Sequence, residues 1–228
     1  MGPGVSRRRP RLPRRHGGGG PHVTSTLRVL HLAKHAPPVR GGIETVVGEL
    51  LVELARDPRG IDATFLCFAD RSATEEIGTG VVLRRCRTIA KVASAPLSLA
   101  MGRAYLASRK DADVVHVHVP NPWAVLLVLL FPPRGAVIVG AHAASTRYGP
   151  LQWPHDRLMR ALYRRAAAVV VSARSNIAHL SLAGYGGEIS VIPYGIGAGR
   201  FAENVDSTGA PRRCCSWDGS STTRASTS

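Results

Sequence analysis

The chain has 228 residues, 44% hydrophobic and 5% aromatic, which suits one domain with a core of small and branched side chains. The formal net charge is +15, but Arg7, Arg8, Arg9, Arg11, Arg14 and Arg15 crowd a start that holds no carboxylate, so the body is only mildly basic. That balance points to an acidic partner: a phosphate-bearing substrate, an anionic membrane or nucleic acid.

Residues 1–25 are rich in Arg, Pro and Gly and cannot bury a core, so disorder is expected there. No apolar stretch follows the basic start as a secretory signal requires. The longest apolar run, Trp123 to Phe131, is about half the length of a bilayer span. The expected place is the cytoplasm, soluble or peripheral on the inner face of the membrane. Four cysteines show neither metal-ligand spacing nor a disulfide framework. Cys67 and Cys86 read as buried thiols.

The ordered part is expected over 26–201, with 202–228 disordered. Leu27–Leu32 reads as a strand, followed by a Pro- and Gly-rich loop, His35 to Gly42. Ile43–Ala55 has helical spacing at Val46, Val47, Leu50, Leu51 and Leu54. Strands follow at Ala63–Phe68 and Val81–Cys86, a helix at Pro96–Ser108 and a strand at Asp113–Val119. Pro122–Phe131 is a short helix, Ala136–Ala141 a strand and Asp156–Arg165 a basic helix. Ala166–Val171 is a strand, Ser175–Ala183 a helix and Glu188–Ile192 the last strand. Short, Val-rich strands alternating with helices predict an α/β fold, a doubly wound, mostly parallel Rossmann-like sheet of six or seven strands. Ligands then bind at the carboxyl ends of the strands.

Four loops at those ends hold the candidate residues. Gly41 and Gly42 open a helix, where backbone N–H groups can face a phosphate. In H-V-H-V-P-N-P, His116 and His118 share a face of their strand. His118 lies nearer the carboxyl end and suits a sugar hydroxyl or a phosphate, whereas His116 suits a core position. Asn121 in the loop that follows is a further substrate-binding candidate. His142 ends the next strand, and Arg147 in the polar loop beyond it can meet a phosphate.

These pieces resemble the family 4 glycosyltransferases of the two-domain GT-B type. The opening helix motif is G-G-I-E-T-V-V over 41–47, and the middle strand is D-V-V-H-V-H-V-P over 113–120. A strand ending in His spans Val137 to His142, and V-I-P-Y-G-I-G-A-G-R-F closes the domain over 191–201. The resemblance implies one half of a GT-B fold, the acceptor-side half. It implies hexose transfer with retention from a nucleotide-diphospho-sugar to a lipid-linked or polysaccharide acceptor, as in envelope polysaccharide or glycolipid assembly. No metal or other cofactor is implied. By the resemblance, Gly42 would approach the donor phosphates and His118 would face the transferred sugar as the catalytic residue; Gly41, Asn121, His142 and Arg147 remain substrate-binding candidates from their place in the strand-end loops.

Three departures stand out. Ala143-Ala144 replaces the family's Ser-Asp, Gly197 replaces an Asp, and no donor-binding second domain follows. Residues 214–228 carry no hydrophobic period. Back-translating Cys214–Thr227 one base earlier permits a string resembling the opening of that second domain. A frameshifted, truncated and inactive product is therefore expected. Two other readings use the same residues: a non-catalytic basic sugar- or phosphate-binding module, and weak, sequence-blind nucleic-acid binding through the Arg-rich start. Specific nucleic-acid recognition is not expected.

Overall fold

The computed structural model describes residues 26–92, 95–142, 149, 152–178, 180, 182 and 185–195. Arg147, Gly197, the Arg-rich start and the tail from 202 lie outside the described residues. In chain order the elements begin with β1 (Arg28–Leu32), α1 (Gly42–Arg56), β2 (Asp62–Ala69), β3 (Ala73–Gly78) and β4 (Val81–Arg87). A hairpin of β5 (Ala90–Val92) and β6 (Ala95–Leu97) leads to α2 (Leu99–Ser108), β7 (Val114–Val119), α3 (Pro122–Leu130) and β8 (Ala136–Ala141). The last are α4 (Gln152–Arg165), β9 (Ala168–Val171), α5 (Arg174–Ile177) and β10 (Glu188–Val191). The chain divides into two units, 1–193 and 194–228, and only Tyr194 and Gly195 of the second are described.

The main sheet has eight strands in the order β10-β9-β8-β7-β1-β2-β4-β3. All neighbours run parallel except β3, which pairs antiparallel with β4. The chain builds outward from β1 through β2 to β4, returns to β7 on the other side of β1, and continues to β10. The order therefore reverses between β1 and β7, the place where such sheets bind ligands.

Both faces are covered, as the Val-rich strands require. Val47 and Leu51 of α1 pack with Ala63, Phe65, Cys67, Val81 and Leu83 on one face. Met101 and Tyr105 of α2, Val125 and Val128 of α3, and Met159 and Leu162 of α4 fill the other against Leu30, Leu32, Leu66, Phe68, Val115, Val117 and Val139. Full burial of one such side chain contributes about 1.5–3 kcal/mol. The expected buried thiols are found: burial pushes Cys67 up to about 12 and Cys86 to about 11.

Four sequence expectations change. The sheet gains an antiparallel edge strand, β3, and a separate two-stranded hairpin, β5-β6, follows β4 in the chain. The helix expected from Pro96 starts at Leu99, because Ser98 caps it: its Oγ accepts the Met101 N–H at 3.1 Å, and residues 95–97 pair with β5. The helix before β9 starts earlier, at Gln152, and β9 itself starts at Ala168. The helix expected over Ser175–Ala183 is four residues long, Arg174–Ile177, since Leu180 and Leu182 reach the core without helical backbone.

Candidate active site

The loop between β1 and α1 is held from both sides at Pro37. Arg85 of β4 donates from Nη2 to the Pro37 carbonyl at 2.7 Å while its Nε meets Glu75 of β3 at 2.6 Å. This pairing holds the Glu75 carboxyl below its usual range. The Pro37 ring lies over Gly48 of α1, where a Cβ would stand 2.7 Å from its Cγ. Gly41 caps α1 with its carbonyl, which accepts from the Thr45 N–H and Oγ, each at 2.9 Å. The Glu44 carboxylate folds back over Gly41, which suits the positive end of a helix. A Cβ at Gly42 would meet no heavy atom within 4 Å, so its outward side is open.

Across the β1–β7 reversal lies a cluster of four histidines. Parallel register pairs His31 with Phe65 on one side and with His116 on the other, and sets His118 opposite Gly140. His31, His116 and His118 therefore project from one face, and His142 joins them two residues past Gly140. His31 stacks flat on Phe65, with ring centroids 4.0 Å apart. His118 is central: its Nε2 lies 3.1 Å from His31 Nδ1 and its Nδ1 lies 2.8 Å from His142 Nε2. A neutral imidazole has one N–H, so His118 donates to one neighbour and accepts from the other. The protons of the row can point either way along it.

Burial keeps the rings neutral. It lowers His31 and His118 well below the ordinary histidine value, with nearby imidazoles adding to the effect. The same desolvation lowers His116 and His142 to about 4. Gly140 makes room for the outer rings: a Cβ there would stand 2.7 Å from His116 Nε2 and 3.2 Å from His142 Nε2. His116 Nε2 is sealed from solvent without a hydrogen-bond partner, although the sequence reading expected a satisfied core histidine. Each of His31, His116 and His118 can offer one ring nitrogen such that all lie within 4.8 Å, which makes them the candidate metal ligands among the described residues.

Gly41, Gly42, His118 and His142 thus lie at one edge of the sheet, as the strand-and-loop reading expected. His118 is deeper than expected, only 2% exposed with both ring nitrogens engaged, and His142 stands nearer the surface. Asn121 is 1% exposed, and its amide is spent on backbone: Nδ2 donates to the Ala33 carbonyl, and Oδ1 accepts the Ala124 N–H to cap α3. Its observed work is to tie β1's exit to α3. His31 was not anticipated. Its signal was a polar residue inside L-H-L, which becomes informative only when β1 is laid beside the H-V-H strand. Val39, Ile89 and Ile192 follow the carboxyl ends of β1, β4 and β10 and are exposed, as is Leu99 at the start of α2. On α4, Trp153, Arg157, Arg160 and Arg164 share one stripe, and Arg157 stacks over the Trp153 ring at 4.8 Å.

Comparisons with known proteins agree with the architecture. The model of the family described as Glycosyltransferase Family 4 matches residues 40–200. The chain is 27% identical over 175 residues to the O-antigen chain mannosyltransferase C of Escherichia coli, covering 75% of this chain and 46% of that protein. It spans about half the length of this curated relative. The solved sucrose-phosphate synthase of Thermosynechococcus elongatus shares the fold with a TM-score of 0.60 at 13% identity, over 81% of this chain and 53% of that one. A second structure of that synthase matches with a TM-score of 0.51 at 10% identity, over 74% of this chain and 89% of that one.

Proposed function

Because the chain belongs to Glycosyltransferase Family 4, matched over residues 40–200, we propose that its domain is the acceptor-side wall of a two-domain transferase. The enzyme moves a hexose from a nucleotide-diphospho-sugar to a lipid-linked or saccharide acceptor, with retention and with no metal in the transfer step. The supporting observation is that the open side of Gly42 and the His118–His142 pair share the carboxyl edge, beside the point where strand order reverses. The N-terminus of α1 favours the negative charge that grows on the departing diphosphate. A sugar hydroxyl entering at His142 takes over the contact with His118 Nδ1, while His31 keeps the ring in place through Nε2. Arg147 would meet the acceptor or a phosphate. That the Escherichia coli relative is an O-antigen chain mannosyltransferase favours an envelope acceptor and a mannosyl donor.

One wall of such a cleft neither encloses the donor nor excludes water, so this domain by itself is expected not to transfer sugar at a measurable rate. The exposed Val39, Ile89, Leu99 and Ile192 suit contact with a donor-binding domain. The basic stripe of α4 suits peripheral contact with anionic lipid on the cytoplasmic face. The test supplies GDP-, UDP- and ADP-sugars with lipid-linked acceptors to the chain alone and to the chain joined to a donor-binding half. Transfer only by the joined protein, with the product anomer matching the donor, is the expected result. Rapid transfer by the chain alone would remove the one-wall argument. Saccharide binding without transfer in either form would favour a non-catalytic binding module. In the joined protein, His118→Ala should lower kcat at least 100-fold and His116→Ala less than tenfold, a difference of about 1.4 kcal/mol or more.

A further inference from the structure

The four histidines offer more nitrogen than the proposed transfer uses. His116 Nε2 is sealed and unpartnered, an arrangement that costs about 1–3 kcal/mol unless something completes it. Each ring of the trio can offer one nitrogen lone pair, and among the described residues the group holds no carboxylate or thiolate. We infer that His31, His116 and His118 form a binding site for a divalent cation of the zinc, cobalt and nickel type, with His142 as the outer support.

The chemistry of the donor set selects the ion. Neutral imidazoles suit zinc, cobalt, nickel or copper, whereas magnesium and calcium need oxygen ligands. Bonds of about 2.0–2.1 Å to zinc place tetrahedral ligands about 3.4 Å apart. His31 Nδ1 and His118 Nε2 already stand 3.1 Å apart, and the trio closes within 4.8 Å, so the rings need shift by only about an ångström. Three protein ligands leave a fourth position for water, hydroxide or an anion, which also offsets the cation's charge.

His118 then ligates through Nε2 and donates its Nδ1–H to His142 Nε2, the second contact that a ligating imidazole commonly makes. His31 must present an unprotonated Nδ1, so its proton moves to Nε2 and none is released. Gly140 leaves the space into which His116 and His142 turn. The inference concerns occupancy by a cation and stands on this geometry, independent of whether the chain takes part in transfer.

Cobalt is the direct probe, because a four-coordinate cobalt(II) site absorbs strongly in the visible. Titration of the full chain should give saturable absorbance at one equivalent, reversed by Zn2+ and untouched by Mg2+ or Ca2+. His116→Leu and His31→Phe should each weaken binding at least tenfold, while His155→Gln and the double change Cys214→Ser with Cys215→Ser should leave it unchanged. If the histidine variants fail to fold, imidazole nitrogen NMR of the unaltered chain decides: Zn2+ should shift the rings of His31, His116 and His118 together. The inference is overturned by no saturable absorbance up to about millimolar cobalt. It is equally overturned by unchanged binding in His116→Leu, or by loss of binding in the cysteine double variant, which would assign the metal to the tail thiols.

Discussion

The buried imidazoles make protonation a threat to the fold. In the unfolded chain a histidine takes its proton near 6.5, whereas burial lowers the folded values to about 4 for His116 and His142 and well below 6.5 for His31 and His118. Between those limits the unfolded chain binds more protons than the folded one. Stability is therefore full above about pH 6.5 and falls as pH drops toward about 4, by up to about 1.4 kcal/mol per pH unit for each ring. Urea midpoints at about pH 7 and about pH 5 should differ clearly, with the lower value at the lower pH. Equal midpoints would mean that the rings are not closed in. Gly140→Ala tests the same packing from the other side. The added methyl would press on His116 and His142, so a loss of about 1–3 kcal/mol is expected by denaturant unfolding. An unchanged midpoint would show that the rings have room to spare.

At the scale of elements, α4 carries a prediction of its own. Its stripe of Trp153, Arg157, Arg160 and Arg164 sets an aromatic beside cations, and Trp153 is 66% exposed. Each arginine near an anionic surface is worth about 1 kcal/mol. Replacing Arg157 and Arg164 by alanine should reduce partitioning onto anionic vesicles more than tenfold, and salt should do the same to the unaltered chain. Equal binding to neutral vesicles would reject the idea. The elements also show what was legible beforehand. β1, β2, β4, β7, β8 and β10 were readable to within one residue at each end, because each carries a short stretch rich in Val, Leu or Ile set off by polar or turn residues. β3 was not: its T-E-E-I is half charged, and it is held by pairing with β4 and by Arg85 reaching Glu75. The start of α2 is set by the Ser98 cap, a signal weaker in the sequence than the apolar spacing that runs back to Pro96. At the site, H-V-H was legible because both rings sit on one strand. His31 was not, because its nearness depends on the lateral register of β1 with β7, which no local pattern carries.

For the whole molecule, the two outer strands of the main sheet are unequal. β3 is antiparallel, charged at Glu75 and Glu76, and its register shifts before Gly78, all devices that discourage further pairing. β10 ends the order on the other side, among the described residues, with Ile189 36% exposed. Aggregation should therefore proceed through β10, and Ile189→Lys should slow the rise of light scattering on mild heating. An equal rate would place the sticky surface elsewhere, with Val39, Ile89 and Leu99 the first alternatives. The placement of β1 between β2 and β7 also has a meaning in time. Val29 pairs with Ala63 on one side and with Val114 on the other, 34 and 85 residues later in the chain (63 − 29 and 114 − 29). At about 5–20 residues per second, a ribosome supplies the second partner about 4–17 s after β1 itself is made. Until then, the strand at the middle of the finished sheet is a nascent edge, and His31 is a ring waiting for its neighbours to be translated.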